Sequence, residues 1–65
     1  MNDHEVDQLI HDLSAPMFIY RMSKPVVDNP DIYSDRIVKG ANTKVTKARE
    51  EIVEVVCRFV RERSE

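Results

Sequence analysis

His4, Asp7 and His11 recur along one side of the opening segment, and Cys57 stands beside Arg58 with Arg61 a helical turn further on. These are the residues with the most nameable chemistry. An imidazole one turn from a carboxylate can share a metal ion or a proton with it, and a thiol close to guanidinium groups ionises more readily. Neither constellation is complete. The spacing sets His4 and His11 about 10 Å apart along a helix axis, too far for one ion to bind both without a ligand from another chain. A solvated polar face near the terminus accounts for the set. A catalytic thiol needs a positioned base, and no local pattern brings a histidine to Cys57, which reads as a half-buried structural residue at the edge of an apolar arc.

The carboxylate pairs Glu50/Glu51 and Asp31/Asp35 are the remaining candidates for acid and base work. Such chemistry needs a concave pocket that a chain this small scarcely builds, so they read as helix-surface charges. Glu50, Glu54 and Arg58 form a series at intervals of four, with the acid preceding the base as a helix favours. The expectation is therefore a protein that is not an enzyme, with no catalytic, cofactor-binding or metal-binding residues and no cofactor.

What must position any function is a small set of helices. Val45, Ala48, Ile52, Val55, Val56 and Phe59 recur at alternating steps of three and four, with one direct neighbour pair. Together with Val53 and Val60 they fill an arc of roughly 160° on a helical projection, wider than the seam of a two-stranded coiled coil. This last segment reads as an amphipathic helix capped by Asn42 or Thr43 and running close to the C-terminus, about 30 Å long. Its arc asks for more than one packing partner.

Two shorter helices are expected before it. Asn2 or Asp3 caps the first, Glu5 follows Asn2 at capping-box spacing, and Val6, Leu9, Ile10 and Leu13 form its apolar face. Pro16 should end or kink it. Met17 to Met22 can form a fresh helical turn or a short strand; helix is the preferred reading, with Ser23 to Asp28 as an extended connection around Pro25. A second helix is marked from Pro30 to Lys39, with Asn29 as N-cap and Gly40, the single glycine, as a left-handed stop.

Size and charge set the remaining bounds. At 65 residues the chain is one domain, 1–65, that buries only about 60% of its unfolded surface. A single cysteine excludes an internal disulfide, and no histidine and cysteine spacing resembles a zinc site, which leaves regular helix packing and self-association as stabilisers. With 42% apolar and 34% charged residues and a net charge of −2, the chain should fold without a long-range field that attracts nucleic acid or an anionic membrane. There is no apolar run of membrane-spanning length and no signal-peptide pattern near Met1 to Asp7, so the expected compartment is the cytoplasm.

The fold expected is all-α: two short helices packed on a long C-terminal amphipathic helix, forming a helical homodimer. The alternative is α+β, with a short hairpin between terminal helices. The expected interface residues are Val45, Ala48, Ile52, Val55, Val56 and Phe59, with Met17, Phe18 and Tyr20 as an aromatic and sulfur-rich cluster. The expected role is that of an adaptor, inhibitor or regulatory subunit acting through protein contacts with a second copy or another protein. The alternative role is a dimeric nucleic-acid-binding transcriptional regulator using Lys44, Lys47 and Arg58. Against it, six basic residues face five acidic ones from Ala41 onward, which leaves no clean positive stripe for phosphates.

Overall fold

The computed structural model describes residues 2–63. The outermost positions of the expected domain, residues 1, 64 and 65, lie outside the described residues. Two helices, α1 (Asp3–Asp28) and α2 (Asp35–Arg63), pack against each other as an antiparallel hairpin joined by the turn at 29–34. The fold is all-helical, and no strand occurs among the described residues. Met17 to Met22 is helical, which removes the α+β alternative.

The expected arrangement of two short helices on a long one gives way to two long helices. α1 begins where the sequence places it: Asn2 accepts a hydrogen bond from the Glu5 N–H at 2.8 Å, satisfying one of the free donors of the first turn. Glu5 does not complete a capping box. Its carboxylate accepts instead from Arg63 Nε at 3.2 Å, tying the first turn of α1 to the last turn of α2.

α1 then continues through both Pro16 and Pro25 to Asp28. A proline inside a helix removes one backbone hydrogen bond and costs about 3 kcal/mol. The tertiary contact overrides that local cost. Leu9, Leu13, Pro16, Tyr20, Ser23 and Val27 keep alternating steps of four and three, and each is buried or half-buried along the contact with α2. A break at Pro16 would lift the second half of this stripe away from its partner. Pro16 is itself among the most deeply enclosed side chains in the molecule.

The second expected helix and the long third helix are one element. α2 runs through Gly40 without interruption, and no glycine has a positive φ. Its cap is neither Asn29, which closes the C-terminus of α1 by donating from its backbone to Val26 O, nor Asn42 or Thr43. Ser34 takes that place, accepting from the Ile37 N–H through Oγ and from the Val38 N–H through its carbonyl. Thr43 and Thr46 instead turn their hydroxyls back onto the carbonyls of Lys39 and Asn42, the usual solution for threonine inside a helix. The apolar stripe explains the continuity: Val38 and Ala41 belong to it, so the helix must pass through Gly40 to place both against α1.

The enclosed centre consists of small side chains. Ala41, Val45, Ala48 and Val55 are the buried apolar residues, with Ile52 and Phe59 half-buried on the same line. The steps between successive members alternate four and three, the repeat of a coiled-coil seam. No helix among the described residues is long and apolar enough to cross a membrane.

Candidate interaction surface

The sides of the hairpin are defined by contacts at the margins of the seam. On one side the Arg49 guanidinium of α2 lies 5.6 Å from the centre of the Tyr20 ring of α1. On the other is a depression of about 120 Å³ whose charged and polar wall is formed by Glu5, Gln8 and Asp12 of α1 and Arg58, Glu62 and Arg63 of α2. Helical rotation of about 100° per residue assigns the rest. The Arg49 side carries Val6, Ile10, Leu13 and Met17 of α1 and Ile52, Val56 and Val60 of α2, with Val53 at the outer margin.

This broad face is apolar and exposed. Ile10 is 59% accessible and Val60 57%, while Val6, Met17, Val53 and Val56 also stand in solvent. Ile10, Leu13, Met17 and Phe18 border an open groove of about 480 Å³ along α1, closed at its polar margin by Ser14 and Arg21. Phe18, 64% accessible, forms the groove's far wall. Towards the turn the character changes: Arg21, Lys24 and Arg49 follow, with Lys24 paired to Asp28 at 2.7 Å. One half of the face is thus a hydrocarbon patch near the chain ends, and the other half is basic and polar.

The residues expected at an interface divide between two surfaces. Val45, Ala48 and Val55 are buried in the seam, and Ile52, Phe59 and Tyr20 are half-buried along it. Val56, Met17 and Phe18 are exposed. The arc of α2, wider than one partner can cover, is split between them: its centre contacts α1 and its margin does not. The seam also takes Leu9 from the expected apolar face of the first helix, and Ala41, Pro16 and Ser23, to which the sequence patterns assign no packing role. Stepping four residues back from Val45 reaches Ala41, and the same repeat on α1 passes through Pro16, so the signal was present but masked by a residue type that normally ends helices.

The histidines and the cysteine are not brought together. His4, Asp7 and His11 are exposed, and no three His, Cys, Asp or Glu groups among the described residues converge as a metal site would require. Cys57 is exposed rather than half-buried. It lies about 180° around α2 from Ala48, on the side turned away from α1. The edge of the arc nearest Cys57 is the one carrying Val53 and Val60, and that margin is not covered by α1.

No family model, curated protein or solved structure matches this chain. The surface itself carries the functional reading. Isolated apolar residues are ordinary on a protein surface, but a contiguous patch flanked by polar groups marks a contact site. Met17 and Phe18 are of the types enriched where proteins meet.

Proposed function

We propose that the chain is a small cytoplasmic interaction module without enzymatic activity, an adaptor, inhibitor or regulatory subunit that works through its broad apolar face. The observation that carries this reading is the placement of Ile10, Met17, Val53, Val56 and Val60 in solvent on one side of the hairpin, whereas the other side is charged near the chain ends and carries exposed Ile19 and Ile37 towards the turn. Covering such side chains is favourable by about 25 cal/mol per Å² of apolar surface.

Site-specific photo-crosslinking in cells tests the proposal. A photoreactive amino acid at Ile10 or Val56 should give covalent protein adducts, whereas the same group at Gln8 or Arg58 on the charged side should give none. Adducts of equal yield from both sides, or none from the apolar side, overturn it.

A further inference from the structure

We infer that the occupant of the broad face is a second copy of this chain, packed face to face through Ile10, Met17, Val53, Val56 and Val60 into a four-helix bundle. This rests on the reading of the broad face as the interaction surface and names its partner.

The first support is area. The chain exposes 5385 Å² at 7.6 kDa, whereas a compact monomer of that mass exposes about 4,300 Å². The surplus of about 1,100 Å² exceeds the roughly 800 Å² that a standard interface removes from each partner. A copy of the chain therefore has enough surface to spare for a stable dimer.

Shape gives the second support. The radius of gyration is 14.9 Å and the principal dimensions are 47 × 19 × 12 Å, against about 10.7 Å for a compact domain of this length. Two helices side by side make one layer, and a domain needs two packed layers around its core. A second hairpin laid on the apolar face supplies the missing layer.

The pattern of the helices is the third. Beside the seam stripe, α1 carries Val6, Ile10 and Met17 at steps of four and seven, and α2 carries Val53, Val56 and Val60 at steps of three and four. A helix in a four-helix bundle touches two neighbours and needs two adjoining stripes. A helix in an isolated hairpin needs one.

Charge decides the geometry. A two-fold axis makes the same patch serve both subunits, so the patch must tolerate its own image. An axis through the chain-end half opposes hydrocarbon to hydrocarbon and keeps Arg21 and Arg49 away from their counterparts. An axis centred on the turn half would bring these like charges together.

Light scattering on the full chain, from low micromolar to near-millimolar concentration, tests the inference. The expected result is a mass of twice 7.6 kDa that falls on dilution. The Ile10→Glu/Val56→Glu double variant should weaken the association by at least about 100-fold, while Arg58→Glu leaves it unchanged. A wild-type mass of 7.6 kDa at every concentration overturns the inference irrespective of how the variants fold. So does an association that Arg58→Glu abolishes and the double variant spares, since the contact would then lie on the charged side. A monomer whose Val56 photo-adducts join it to a different chain refutes the second copy and leaves the interaction reading standing. A monomer with no face-specific adducts refutes both.

Discussion

The seam between the helices and the broad face beside it use hydrophobic residues in opposite ways. Ala41, Val45, Ala48 and Val55, with Pro16 and Ser23, are enclosed, while Ile10, Met17, Val53, Val56 and Val60 are exposed. Side chains in the seam spend their burial within the hairpin; those on the broad face, valines among them, hold hydrophobic driving force that a single hairpin leaves unused. Residue type does not separate the two surfaces, and coverage by the other helix does. The seam fixes which helix faces which, and the broad face carries the free energy available for association.

Substitutions can break this contrast, beginning with the largest effect. Val45 is only 2% accessible, so Val45→Asp places an unpaired carboxylate in the seam and should cost about 3–5 kcal/mol. Loss of cooperative helical circular dichroism on heating is the expected outcome; retained cooperativity would show that the seam is not the structural centre. Ala48→Leu adds bulk where the helices meet and should destabilise by about 1–3 kcal/mol through overpacking. The same enlargement on the broad face, Val56→Leu, should change the unfolding free energy of the dissociated chain by less than about 0.5 kcal/mol in denaturant titration. Equal penalties at the two positions would erase the distinction.

Two smaller changes sharpen it by isolating terms that belong to neither surface. An added Cβ at Gly40 meets nothing within 4 Å, and the residue lies inside α2 without a positive φ. Gly40→Ala should therefore stabilise by about 0.5–1 kcal/mol, by backbone entropy alone, in urea unfolding. The Arg63–Glu5 pair joins exposed side chains at 3.2 Å. Glu5→Gln should cost at most about 1 kcal/mol, and high salt should erase even that difference.

Much of the helical character was legible before any coordinates. The cap at Asn2 forms as its spacing implies, and the repeat from Val45 to Phe59 lies on α2 with its central members against α1. The structure departs from the local preferences at Pro25 and Gly40, where a boundary is expected and the helix continues, and at Pro16, where of the expected end or kink the end does not occur. Those preferences are worth about 1–3 kcal/mol apiece, less than the packing lost if a stripe were broken in the middle. Asn29 and Pro30 looked like the start of a helix because they resemble one locally, yet the stripe they would have begun leads nowhere, and Ser34 caps the element that has a partner to pack on.

The sequence by itself determined that this chain is helical, that its apolar arc is too wide for one neighbour, and that it has no disulfide of its own, because periodicity and residue counts depend on no other part of the molecule. Only the tertiary structure decided that the helices number two, that Val55 is enclosed while its neighbour Val56 is exposed, and that Cys57 faces solvent. Rotation by one residue turns a side chain about 100° around a helix. Which side of a wide arc is covered therefore depends on where the other helix lies, and that is a property of the pair.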